Sequence, residues 1–203
     1  MFNRFIIFLS ALLLWLPGVQ SAPTDSVTIT EVMFNPTSGN NEFIEIYNYG
    51  SQAYNLSQWK IKDNLELDTI KNAGFGITLN PGQFAIIFEN DYDIATGLYK
   101  DMIPVGALIL KIDDALIGNG LGNTSDVIYL ITNTADTLSV YSYSSSNPVS
   151  FSDEKIKLDN DNSVSNWINS FYTNGTPGAP PESVNTPPKS ISKPDQDKPK
   201  GIA

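Results

Sequence analysis

The chain has 203 residues, sets 12 Lys and Arg against 22 Asp and Glu for a net charge of −10, and contains neither cysteine nor histidine. Without histidine there is no imidazole base, no Ser-His-Asp triad and no imidazole metal ligand. Without cysteine there is no thiol nucleophile, thiolate metal site, disulfide or lipid-modified N-terminal cysteine, so the core alone must hold the fold.

Reading from the N-terminus, Arg4 precedes the apolar run Phe5–Leu16, Pro17-Gly18 ends it, and Val19-Gln20-Ser21 offers a cleavage site after Ser21. Cleavage after Ala22 is the alternative, which would leave Pro23 following the cut. Residues 1–21 therefore read as a signal peptide, too short for the roughly 20 residues a membrane span needs. The mature chain is expected to have no membrane span and to be secreted, periplasmic or extracellular. Between this leader and Thr186 the sequence holds 7 lysines against 20 acids, a net of −13. So acidic a body repels polyphosphate, and direct nucleic-acid binding is not expected.

From Val27 onward the pattern is β. "VTITEVMFN" opens with alternation of Val27 and Ile29 against Thr28 and Thr30, and "EFIEIYN" alternates around Ile44 and Ile46. "QWKIKD", "ITL", "QFAIIFEN", "GALILKI", "DVIYLIT" and "TLSVYSY" follow, separated by turn chemistry such as "NPTSGNN", "NPGQ", "GNGLGNTSD" and "TNTAD". "QFAIIFEN" and "GALILKI" are apolar on both parities and predict strands covered on both faces. Trp59 is expected to anchor the core. The stretch Asp91–Val105 is a connection of about fifteen residues, long enough to carry contacts or a short helix near Tyr92–Lys100. The domain is expected to span residues 24–182, closing on "NWINSFYTNGTPGAPPE". Residues 183–203, rich in Pro, Lys, Ser and Asp, are expected to form a disordered tail or linker. Short half-buried strands of this kind must stack or close, so the fold class is all-β, a sandwich or barrel.

The blocks "ITEVMFNP", "NEFIEIYNYGSQAYNLSQWKIKD", "LNPGQFAIIF", "GNGLGNTSDVIYLIT", "ADTLSVYSY" and the late Trp167, Thr176, Pro177 and Gly178 resemble the lamin tail domain family in order and spacing over about Val27–Pro181. The resemblance implies an immunoglobulin-like β-sandwich and carries no catalytic motif. With a signal peptide and no coiled-coil rod, the chain is similar to the exported bacterial members, which are often joined to hydrolase, nuclease or surface domains. It differs in the Asp91–Val105 insert and in having no attached enzyme domain.

Candidate chemistry is sparse. Glu42 and Glu45 stand three apart and point to opposite faces of a strand, which suits rim charges better than a catalytic pair; a lysine such as Lys60 or Lys62 is a candidate partner for Glu45. "LDNDNS" places Asp159, Asp161 and Ser163 at the first, third and fifth positions of a calcium loop, but Val164 and Ser170 stand where its Gly and Glu belong. These three residues are the metal candidates, for Ca²⁺; Asn90–Asp93 and Asp113-Asp114 are lesser ones. "GNGLGN" lacks the strand-before, helix-after context of a phosphate loop and reads as turn glycines. Tyr47, Tyr49 and Tyr54, and Tyr141 with Tyr143 on one strand face, are candidates for a sugar platform against the plainer reading as β-formers. Asn55, Asn123 and Asn174 head glycosylation sequons. The expected function is thus an exported, non-catalytic binding or surface-association module with an unidentified protein or glycan ligand and no required cofactor. The alternatives are an accessory domain of an exported hydrolase or nuclease system, a Ca²⁺- or carbohydrate-binding module, or a carboxylate-metal hydrolase at Asp159 and Asp161.

Overall fold

The computed structural model describes residues 26–144 and 147–181. Among them the regular elements are strands and one 3-10 turn at Val164–Asn166: β1 (Val27–Met33), β2 (Phe43–Asn48), β3 (Tyr54–Asn55), β4 (Lys60–Lys62), β5 (Leu67–Asn72), β6 (Thr78–Leu79), β7 (Phe84–Phe88), β8 (Leu108–Ile112), β9 (Ser125–Ile131), β10 (Thr137–Ser144), β11 (Asp153–Lys155) and β12 (Trp167–Asn169). Ten strands make one sheet in the order β10-β9-β4-β5-β8-β7-β2-β1-β11-β12, while β3 pairs with β6. The sheet curls on itself into an immunoglobulin-like sandwich. One layer is β10-β9-β4-β5 and the other runs from β8 to β12, continuous through the antiparallel β5–β8 pair. At the opposite side β1 meets β10, where the Ile29 N–H donates to Ser139 Oγ at 3.2 Å.

Alternation decides what fills the space between the layers. Ile29, Val32, Ile44, Ile46, Trp59, Ile61, Ile70, Ile87, Leu110, Ile112, Ile128 and Leu130 are buried together there. Trp59 is the core anchor its sequence context predicts, edge-on to Tyr54 at 5.7 Å between centroids. The two strands within Asn41–Asn64 do not pair with each other. β2 pairs with β1 and β7 in one layer, whereas β4 pairs with β5 and β9 in the other. Trp59 and the short β3 carry the chain between layers, because the polar run after Asn48 contains no apolar stripe long enough to return beside β2.

β7 and β8 are parallel, with Ala85 opposite Leu108 and Phe88 opposite Lys111. Parallel neighbours require a crossover of a dozen or more residues, which is the physical reason for the Asp91–Val105 insert. No helix forms at Tyr92–Lys100; the insert is a series of turns closed by Gly97 N–H to Asp93 O (2.7 Å) and Met102 N–H to Tyr99 O (3.0 Å). It lies across the outer face of the sheet. There Tyr92 and Tyr99 roof Met33, Phe43, Ile86 and Phe88 in a second apolar cluster, with Tyr99 edge-on to Phe43 at 5.1 Å.

The "NPGQ" punctuation becomes the turn into β7. Gln83 N–H donates to Asn80 O at 3.1 Å, Pro81 supplies the fixed φ, and Gly82 takes φ +71°. Gly82→Ala is expected to destabilise the domain by about 1 kcal/mol, because an L side chain enters the left-handed region. Urea unfolding with an unchanged m-value checks this.

Candidate functional site

The most unusual feature of the outer face is a row of three glutamates. A bulge in β1 between Ile29 and Glu31 shifts the strand's parity, and β11 adds to the other side of β1. Glu31 thereby stands opposite Glu45 of β2 and opposite Glu154 of β11. All three are buried. Like charges directly opposite one another across strands are destabilising, so the environment must either supply donors or remove charge. Burial, reinforced by Glu45 and Glu154, raises the Glu31 carboxyl well above its ordinary range. Burial likewise pushes Glu45 up to about 8, against the lowering effect of its hydrogen bonds.

The donors come from Thr30, Ser152 and a C-terminal strap. Thr30 Oγ1 donates to Glu45 Oε1 (2.6 Å), and Ser152 Oγ donates to Glu31 Oε1 (2.6 Å). The strap is the Thr176-Pro177-Gly178 segment. Thr176 N–H donates to Glu31 Oε1 (3.0 Å), Thr176 Oγ1 to Glu154 Oε1 (2.9 Å) and Gly178 N–H to Glu45 Oε2 (2.6 Å). Gly178 has φ +88°, and a Cβ there would stand 2.8 Å from Pro104 Cδ and 2.9 Å from Ala107 Cβ. Only glycine lets the strap slide between the insert and the glutamates. Strap and insert together cover the outer face. Glu45 is therefore no rim charge: β2 is an interior strand, and its carboxylate partners are Thr30 and Gly178. The expected lysines lie elsewhere, with Lys60 Nζ on Thr69 Oγ1 at 3.2 Å and Lys62 over the Tyr129 ring at 5.2 Å.

Glu42 sits apart from Glu45. It precedes β2, accepts from the Leu121 N–H at 3.2 Å, and is pushed up to about 8 by burial and by nearby Glu89 and Asp126. "GNGLGN" is a loop that serves acids, not phosphate. Gly118 N–H donates to Asp68 Oδ2 (2.6 Å) and Asn119 N–H to Asp63 Oδ2 (2.8 Å). Burial and the adjacent Asp113, Asp114 and Asp63 push Asp68 up to about 6, against its hydrogen bond from Gly118.

The Asp159–Ser163 loop holds an ammonium group. Lys155, 0% exposed, donates through Nζ to Asp159 O (2.6 Å), Asn162 Oδ1 (2.7 Å) and Thr28 Oγ1 (2.7 Å), with the Trp167 ring 5.7 Å away. Asp159 Oδ1 accepts from Asp161 N–H and Asp161 Oδ1 from Ser163 N–H, at 3.0 and 2.9 Å. The three candidate residues thus share one turn, whose inward oxygens face Lys155. Burial lowers the lysine to about 8 despite Asp159 and Asp161. Among the described residues, no group of three acidic side chains is arranged to hold a metal ion.

Tyr141 and Tyr143 are core residues, not a platform. Tyr141 stacks on Trp167 with centroids 3.5 Å apart and donates to Asp153 Oδ2 at 2.7 Å; Tyr143 stacks on Phe34 at 4.1 Å. Four exposed apolar side chains lie on the insert and beside it: Leu98, Met102, Val105 and Phe75 of the loop after β5. Phe75, Ile94, Ile103 and Val105 help line a shallow cavity of about 280 Å³.

The residues that sequence reasoning missed are Glu31 and Glu154, whereas Thr176 and Gly178 stood out only as part of the late block of the family resemblance, without a role. A signal for the first was present: apolar positions 27 and 29 followed by 32 and 34 mark a slip in parity, and hence a bulge that turns Glu31 outward. Nothing local marks Glu154.

The ten-stranded sheet curled on itself, with short β3 and β6 beside it, defines an all-β, immunoglobulin-like module. The chain matches the Lamin Tail Domain family over residues 20–145 and belongs to it. No curated protein is similar enough to match. β11, β12 and the strap lie beyond the matched span. The described residues include no helix long and apolar enough to cross a membrane; residues 1–21, expected to be a signal peptide, and residues 183–203, expected to be a tail, lie outside the described residues.

Proposed function

We propose that the protein is an exported, non-catalytic module that binds a protein partner through the cap made by the Asp91–Val105 insert and the Phe75 loop. The observation that carries this is that Phe75 and Val105, both exposed, line one cavity on that cap together with Ile94 and Ile103. These side chains are mostly aliphatic, which favours a protein over a glycan, since sugar faces stack on flat rings. A crossover forced by parallel strands is free to vary in sequence without disturbing the sandwich, a suitable place for specificity. Export follows from the leader, and no cofactor is required in this reading.

The test has two arms. The purified protein should show no turnover of esters, phosphodiesters or glycans, and robust turnover of any of them would overturn the non-catalytic reading. Tagged protein should retain a partner from culture fluid, and Phe75→Ser with Val105→Asp should weaken that retention at least tenfold without lowering Tm. Equal retention by the double variant would place the contact elsewhere.

A further inference from the structure

The glutamate row has a property that packing alone does not explain. Both oxygens of Glu45 accept hydrogen bonds, from Thr30 and Gly178. Glu31 differs. Its Oε1 takes donors from Ser152 and Thr176, while its Oε2 is buried and has no hydrogen-bond partner, in a residue only 1% exposed. A charged oxygen stripped of water and given no donor is costly, whereas a protonated one carries no charge. The ionisable groups facing the row are Glu45 from β2, Glu154 from β11 and Tyr99 from the insert, whose hydroxyl ionisation burial and Glu31 suppress. None of these is a cation, and neither Glu31 nor Glu45 takes part in the ion pairs Lys71–Asp113 and Lys100–Asp101.

We propose that Glu31, flanked by Glu45 and Glu154, is a proton-binding site that latches the Thr176–Gly178 strap onto the sheet. With the proton on Glu31 Oε2, the row carries less charge and the strap's three donors suffice for what remains. When that proton leaves to water, Glu31 becomes a carboxylate buried directly opposite Glu45 and Glu154 of the adjacent strands. The strap's donors then cannot balance the row, and Thr176–Gly178 swings off, letting water reach Glu45 and the edge of the Phe43–Tyr99 cluster. The latch is local: the β2–β7 ladder lies on the other side of Glu45, and its partners Ile86 and Ile87 do not titrate.

Amide and side-chain carboxyl NMR on the wild-type domain between pH 5 and 9 tests this directly. The Thr176 and Gly178 amides should shift together with a midpoint well above the ordinary glutamate range, tracking the Glu31 carboxyl carbon, while the Ile44 and Ile87 amides stay still. Glu31→Gln, which keeps a neutral group of the same shape, should hold both strap amides in their low-pH positions up to pH 9. Strap amides that are flat from pH 5 to 9, or a Glu31 carboxyl already ionised at pH 6, would overturn the proposal. So would restoration of the low-pH strap signals at pH 8.5 by millimolar Ca²⁺, which would make the row a metal site. Should Glu31→Gln fail to fold, the wild-type titration still decides.

Discussion

Raising the pH from 5 to 8 is expected to lower the melting temperature of this domain by on the order of 10 °C, the reverse of ordinary acid destabilisation. An unfolded glutamate titrates near 4.3 and an unfolded aspartate near 3.9. In the folded chain burial pushes Glu45 and Glu42 to about 8, Glu89 to about 7 and Asp68 to about 6, and moves Glu31 in the same direction. Between those limits the folded state binds more protons than the unfolded one, so the free energy of unfolding falls as pH rises. The stability associated with these groups is fully present below about pH 4 and is lost as pH rises through about 6 for Asp68, about 7 for Glu89 and about 8 for Glu42 and Glu45. Asp63 and Asp113 have lowered values, from backbone donors that outweigh their desolvation, and act oppositely, losing stability only as pH falls below the normal aspartate range. Above pH 8 Lys155 reverses the slope, because its folded value near 8 lies below that of an unfolded lysine. Melting curves at constant ionic strength should therefore show a maximum near pH 4 and a decline from there toward 8. A Tm that rises across that interval would mean the buried glutamates are ionised and better paired than their surroundings indicate.

What could be seen in the sequence was whatever depends on local chemistry. Alternation in β1 and β2 placed Ile29, Ile44 and Ile46 inward, "NPGQ" marked the turn at Gly82, and Trp59 declared itself as the only tryptophan in the first half of the domain. The family resemblance held, as did the sandwich it implied. What escaped was whatever depends on a distant partner. Asp153-Glu154-Lys155 is a strand of three charged residues, all buried, and charged runs ordinarily read as solvated turns. It is a strand because Tyr141 takes Asp153, Thr176 takes Glu154, and Thr28 with the following loop takes Lys155. Tyr141 and Tyr143 alternate with serines, as an outward face would, yet their rings are enclosed by Trp167 and Phe34, one of them 26 residues downstream and the other over 100 upstream. Glu45 was legible as a polar residue on the second face of β2, but that this face is covered follows only from the crossover and the strap.

A chain ending at Ser144, close to the end of the family match, is expected to lose cooperative folding. β1 is buried along its whole length because it lies between β2 and β11; removing residues 147–181 makes it an edge strand with unpaired backbone groups. Tyr141 would lose both its stack on Trp167 and its hydrogen bond to Asp153, leaving a buried phenol without an acceptor at one end of the core. Thr28 and Ser139, where the two layers meet, would lose the Lys155 loop that covers them. Losing a buried aromatic stack of this kind costs about 3–5 kcal/mol, and the three losses together approach the roughly 5–15 kcal/mol that an entire domain has. One gain opposes them: without the strap Glu31 and Glu45 reach water and no longer resist ionisation. That relief is greatest near pH 8 and smallest at pH 5, so truncation should do most damage in acid, where the intact domain is strongest. Calorimetry of the truncated chain at pH 5 should show no cooperative transition, together with collapsed amide dispersion. A sharp transition within a few degrees of the full domain would show that the matched span folds alone and that β11, β12 and the strap are later additions to a self-sufficient sandwich.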